Sequence, residues 1–314
     1  MKFFFCSLIM SALAMMMVSC DSGVASSGDG KIQVVTTATM VTDLVKIIGG
    51  DRVNVEGLMG EEVDPHSYDP VFQDIQKLRR ADVVFYVGLH LEGKMQESLE
   101  SMAKEGKASI AIAGEIETTD LLAPQEDFPG SYDPHVWGDP LLWAQCANSV
   151  ANKLAEIDPE HADEYQLRAA NYIQELNDLK AWAEKRISEI PEEKRTLITA
   201  HDAFFYFGRA YGFKVKGLQG LSTESEVGIG GRRDLVELIK KSGVKAVFGE
   251  SSINNKGIRE VADEAGVKLV DQHLYSDAMG KRGDVVEVNG ESYDRGTYIG
   301  MQKHNVNVIV EALK

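Results

Sequence analysis

Between Pro159 and Pro191 the chain contains neither glycine nor proline, and Tyr165, Ala169, Tyr172, Leu176, Leu179, Ala183, Ile187 and Ile190 recur at steps of three and four. That spacing lines one face of a helix. Asp158 stands at the N-cap position and Pro159 at the first helical position, so the pattern predicts one helix over 158–190. At 1.5 Å per residue it reaches about 45 Å, enough to run the length of a two-lobe molecule. Its charged remainder is a solvated face.

On either side the pattern changes to short apolar runs separated by helical ones. Strands are expected over 31–37, 52–59, 82–87 and 108–113, with helices over 40–48, 71–80, 92–103 and 140–157. After the long helix come strands over 195–200, 213–217, 245–248 and 268–271. They alternate with helices over 203–211, 232–242 and 256–265, and a last helix covers 298–313. Short apolar strands between helices indicate parallel sheets covered on both faces. The predicted fold is therefore α/β: two lobes, each a mainly parallel sheet flanked by helices, joined by one long rigid helix. The expected division is 1–19 leader, 20–30 tether, 31–157 first lobe, 158–191 linking helix and 192–314 second lobe.

The first residues carry an export signature. Lys2 is the only charge before an uncharged stretch running to Cys20, which ends in Met17-Val18-Ser19-Cys20. This reads as a signal peptide whose end resembles a bacterial lipobox, with Cys20 as the lipidated residue and Met17 where Leu is commoner. An uncleaved membrane helix is the alternative, because the stretch is close to the lower spanning limit of about 17 residues. The following SGVASSGDG favours a flexible tether. Asp21 resembles an inner-membrane retention signal. The formal charge is −16, and losing Lys2 makes it −17, which argues against nucleic acid and against a basic patch on anionic lipid. Of three cysteines only Cys146 would remain, so no disulfide can form within the mature chain. Its neighbours Trp143, Ala147 and Val150 mark it as a small buried hydrophobe.

Four segments far apart in sequence each place a metal-ligating side chain in a loop: His66 in VDPHSYDP, His135 in DPHVWGDP, His201 in TAHDAFF and Asp277 in YSDAMG. Three imidazoles and one carboxylate can enclose a first-row divalent ion. A single Asp-Pro-His loop is ordinary turn chemistry, so the weight rests on the four together. His201 and Asp277 follow predicted strands, where open α/β sheets place ligands. A ligating imidazole needs a partner for its other nitrogen, and Asp64, Asp69, Asp133, Asp202 and Glu250 lie near enough in sequence, with Glu250 preferred. His161 and His304 read as surface or packing residues, while His273 is a further candidate for a supporting role. Gly228-Ile229-Gly230-Gly231 reads as a flexible turn before a helix, and no Walker pattern is present.

With the lipobox, these motifs together with TAHDAFFYFGRAYGF, QGLSTESE, FGESSIN and SDAMG resemble the metal-specific solute-binding lipoproteins of bacterial ABC importers, the cluster A-I or TroA-like family. The resemblance covers essentially the whole mature chain. It implies a receptor, not an enzyme, that captures manganese, zinc or ferrous iron outside the cytoplasmic membrane. Delivery would be to a permease driven by an ATPase subunit, with the receptor monomeric and held to the membrane by its lipid, at the periplasmic face or the cell surface. The family's ligand positions fall on His66, His135, His201 and Asp277. Some manganese binders have glutamate as third ligand where this chain has His201. Zinc-dedicated relatives commonly carry a histidine-rich loop before the second ligand, whereas 115–131 here is acidic and holds no histidine. Manganese or mixed uptake leads on that ground. Two other classes are open: a metal-dependent hydrolase with Glu250 or Asp202 as base, and a surface adhesin with a structural metal.

Overall fold

The computed structural model describes residues 30–123, 130–224 and 228–314. Cys20, the leader and nearly all of the tether lie outside them. Among the described residues no helix is long and apolar enough to cross a membrane.

The first half builds β1 (Ile32–Thr36), α1 (Thr39–Gly49), β2 (Val53–Gly57), α2 (Phe72–Arg80), β3 (Val83–Tyr86), α3 (Gln96–Lys104) and β4 (Ala108–Ala111). The four strands are parallel in the order β2-β1-β3-β4. β3 is buried throughout, as a central strand covered on both faces must be. Helix α4 (Pro140–Ile157) starts at Asp139, whose carboxylate accepts from Leu141 N, with Pro140 in the first turn.

The long helix, α5, is an α-helix over Ala162–Ile187, preceded by a 3₁₀ turn over Pro159–His161. Asp158 does not cap it. Its carboxylate instead takes the Tyr165 hydroxyl at 2.7 Å and His161 Nδ1 at 2.8 Å, and the helix begins one turn later than the sequence implies. Twenty-six residues still span about 39 Å. Tyr165, Ala169, Tyr172, Leu176 and Leu179 pack in the core of the first lobe, and Ala183 and Ile187 in a core of the second.

The second half holds β5 (Thr196–His201), α6 (Phe205–Tyr211), β6 (Lys214–Gln219), α7 (Ile229–Ser242), β7 (Ala246–Val247), α8 (Lys256–Ala265) and β8 (Lys268–Leu269). β5 pairs with β6 and β7 with β8, both parallel. A hydrogen bond from Phe248 N to Ile198 O sets the second pair beside the first, so the order is β6-β5-β7-β8. Gly230 and Gly231 lie inside α7, not in a turn ahead of it. An antiparallel hairpin, β9 (Val285–Val288) and β10 (Glu291–Asp294), is an element the periodicity does not predict. The last helix, α9 (Tyr298–Leu313), also straddles the lobes: Tyr298 and Met301 belong to the first core, Val306, Ile309 and Leu313 to the second.

Candidate metal centre

The four sequence-predicted ligands converge. One ligand atom from each of His66, His135, His201 and Asp277 lies within 4.8 Å of all the others, and all four residues are buried. His66 is in the loop between β2 and α2, and His135 immediately precedes a 3₁₀ turn (Val136–Gly138) that leads into α4. His201 is the last residue of β5, one position earlier relative to its strand than expected, and Asp277 lies in the loop between β8 and β9. Two close approaches require glycine. A Cβ on Gly93 would stand 2.2 Å from His66 O, and one on Gly217 would stand 2.3 Å from the His201 carbonyl carbon.

The imidazoles face one another through Nε2: His66 and His135 are 3.2 Å apart there. Asp277 bridges the set, with Oδ1 3.4 Å from His135 Nε2 and Oδ2 3.1 Å from His201 Nε2. Metal–ligand bonds of 2.0–2.2 Å put tetrahedral donor atoms about 3.3–3.6 Å apart, and these separations of 3.1, 3.2 and 3.4 Å lie at or just inside the spacing a small divalent ion imposes. The polar atoms themselves call for one. Both Asp277 oxygens and His201 Nε2 are buried without a well-formed hydrogen bond, a costly arrangement unless a cation satisfies them.

At His135 and His201 a carboxylate stands behind the other ring nitrogen. His135 Nδ1 is 2.8 Å from Asp133 Oδ1, the same oxygen that accepts from His135 N, and Asp133 is fully buried. His201 Nδ1 is 2.5 Å from Glu250 Oε2, and His201 N donates to Glu250 Oε1 at 2.8 Å. Glu250 is fixed in turn by Asn255, which donates to its carbonyl and accepts from its N–H. The Asp133 bond selects the His135 tautomer that points Nε2 inward, and at His201 the Glu250 carboxylate lies against Nδ1 as a close charge contact without a well-formed hydrogen bond.

The remaining acids do other work. Asp64 accepts from His66 N, the Ser67 hydroxyl and, across the lobes, the Thr223 hydroxyl, so it shapes the loop and does not reach an imidazole by these bonds. Asp202 turns to β6, accepting from Gly217 N and Lys216. Asp69 is an exposed partner of Lys94. His273 is exposed, and its carbonyl accepts from His304 Nε2. Cys146 sits in the first core, where burial pushes its thiol pKa up, and takes no part in the cluster. Spacing gave no indication of Trp137, whose Nε1 donates to Ser276 O at 2.8 Å, or of Tyr206, whose hydroxyl donates to Asp133 O at 3.0 Å. Trp137 lies inside DPHVWGDP, so the signal was an indole beside a ligand, with nothing in the sequence to show its partner.

Electrostatics separates the histidines. Burial pushes His66 down to about 3, against the pull of Asp277, leaving it neutral with a lone pair to offer. Burial alone would lower His201 too, but the Glu250 and Asp277 carboxylates raise it well above the ordinary imidazole value. Burial would raise Asp277, yet His201 and then His135 and His66 hold it below the usual carboxylate range. Without metal, a proton on His201 partly takes the cation's place. A cleft of about 540 Å³ between the lobes reaches the ligand loops, lined among others by Asp64, Ser67, Ala200, Thr223 and Ser252.

The sequence profile described as zinc-uptake complex component A, periplasmic, matches residues 34–312. The chain belongs to that family. Within the family's wider circle, the manganese-binding lipoprotein MntA of Bacillus subtilis is 43% identical over 92% of this chain and 92% of its own length. The zinc-binding protein TroA of Treponema pallidum is 39% identical over 92% of this chain and 91% of its own. The crystallised periplasmic zinc-binding TroA superposes with a TM-score of 0.83, covering 90% of this chain and 99% of that one. Fe(III)-bound YtgA from Chlamydia trachomatis follows at 29% identity and a TM-score of 0.78, with 90% and 98% covered. The zinc-uptake family thus shares the two-lobe α/β fold seen here, and its members are metal-binding receptors.

Proposed function

We propose that the chain is the extracytoplasmic receptor of a metal-importing ABC transporter, capturing one divalent first-row ion on His66, His135, His201 and Asp277. The observation that carries this reading is the convergence of four buried donors from four distant loops, with unsatisfied carboxylate oxygens at the centre. The ion is cargo, passed to a membrane permease with its ATPase subunit. Residues 1–19 are removed on export, Cys20 carries the lipid that holds the protein at the outer face of the cytoplasmic membrane, and 31–157, 158–191 and 192–314 act as lobe, link and lobe of a monomer.

Manganese, or a mixed diet of manganese, ferrous iron and zinc, is favoured over zinc alone. Asp277 presents one oxygen to His135 and the other to His201, a geometry that supplies five donors and suits ions less insistent on four. Hydrolysis is disfavoured, because Glu250 is committed to His201 and Asp202 to β6, leaving neither as a base. Metal-stripped 31–314 titrated anaerobically with manganese, zinc and ferrous iron tests the reading. It predicts one ion per chain with measurable release from a protein that stays folded. An ion that leaves only on unfolding would make the metal structural, and absence of stoichiometric binding would remove the proposal.

A further inference from the structure

The loop that carries Asp277 is fastened to both lobes: on the second-lobe side Ser251 N donates to Leu274 O, Leu274 N donates to Gly249 O, and Ser276 Oγ lies 3.3 Å from Ser252 Oγ. Trp137 Nε1, one turn from His135, donates to Ser276 O at 2.8 Å. Met279 N donates to the Thr39 hydroxyl at the start of α1, at 2.8 Å, and the Met279 side chain is buried in the first lobe's core. Further along, Arg282 Nη1 donates to Asp43 Oδ1 at 2.6 Å, and the other Asp43 oxygen accepts Tyr298 N at the start of α9 at 3.0 Å. Asp43 is itself buried while Arg282 is exposed, so the pair closes the junction at its solvent edge. His201 is attached differently. Its backbone and ring both engage Glu250, and its strand is built into the second lobe through Ile198 and Ala200.

From this fastening we infer that Thr39 and Trp137 are positioning residues for Asp277: through Met279 and Ser276 they hold the first-lobe side of a loop whose other side, at Leu274 and Ser276, is bonded to the second lobe. Thr39 is suited to hold the carboxylate loop because its hydroxyl accepts the Met279 N–H two residues beyond the ligand, where a small shift swings Asp277 away from His135.

The inference rests on the metal-receptor reading, and the experiment keeps the two apart. Mature protein with Thr39→Val, Thr39→Ser or no change is stripped of metal and reloaded with manganese. Dissociation rate is followed together with amide exchange at Met279 and apo melting temperature. Loss of one partly buried hydrogen bond predicts dissociation about tenfold faster in Thr39→Val, with faster exchange at Met279. The wild-type rate should return in Thr39→Ser, while apo melting changes little. Trp137→Phe, which removes the bond to Ser276 from the other side, should act in the same direction. Unchanged dissociation and unchanged Met279 exchange in both variants, with the wild type binding one ion, would overturn the positioning role and leave the receptor reading standing. A wild type that binds no metal would overturn both.

Discussion

The two lobes repeat one sheet order and differ in the residue that meets a buried glutamate. Each sheet has its strands in the order second, first, third, fourth, and each carries a buried glutamate just past the end of the third strand. In the first lobe Glu92 accepts from the Thr37 hydroxyl beyond β1, and from Val87 N and Gly88 N. In the second lobe Glu250 accepts from His201 N at the end of β5 and stands against the imidazole. Both glutamates lie where open α/β sheets reverse their strand order, the usual position for a ligand. With threonine there the glutamate closes a structural knot. With histidine it becomes the support of an imidazole of the candidate site, because an imidazole can be held by one nitrogen while the other faces the cluster. The fold supplies the place twice, and the residue at the end of the leading strand decides what happens there.

The comparison is broken most severely by removing its distinguishing ring. His201→Ala should cost at least about 100-fold in metal affinity and abolish most of the metal-induced rise in melting temperature, with the apo protein still folded. Thermal melts with and without manganese check it, and an undiminished shift would mean that His201 is not a ligand. A subtler test pairs the two glutamates. Glu250→Gln keeps the shape but removes the charge behind His201, and should weaken metal binding by about tenfold. Glu92→Gln at the matching place should leave affinity unchanged, as titration of both variants side by side will read.

The smallest effect is a proton count. Because carboxylates hold the His201 pKa above its ordinary value, the metal-free site keeps a proton there at neutral pH, and the incoming ion must displace it. Affinity should therefore rise with pH through the neutral range, by at most about tenfold per pH unit for each proton released. Calorimetry in buffers of different ionisation enthalpy measures that release. A pH-independent affinity between 5.5 and 7.5 would show that no proton leaves.

Much of this was legible in the residues. The sequence places α8 at 256–265 and α9 at 298–313, the ranges observed, because their apolar periodicity is unbroken and α8 ends at Gly266, in the left-handed conformation that closes a helix. The four residues that converge were legible as histidine or aspartate loops. The β9–β10 hairpin went unread although Asn289-Gly290, both with positive φ, is the pair that turns a two-residue hairpin. Its strands are half-exposed and lack the apolar run that marked the others. The attachment of the Asp277 loop could not be read at all. It depends on how two lobes face each other, and Thr39 and Met279 are 240 positions apart.

That α9 straddles the lobes beside α5 has a consequence for traffic through the site. Two rods crossing the same seam stiffen it, since opening it like a jaw would bend both or drag one along the other against closely packed side chains. Small slides and twists are the motions such a seam favours, and the four converging side chains behind it are buried. Left alone in solution, a loaded molecule would act as a slow-leaking vessel, and rapid unloading would require a docking partner that leans on both lobes at once.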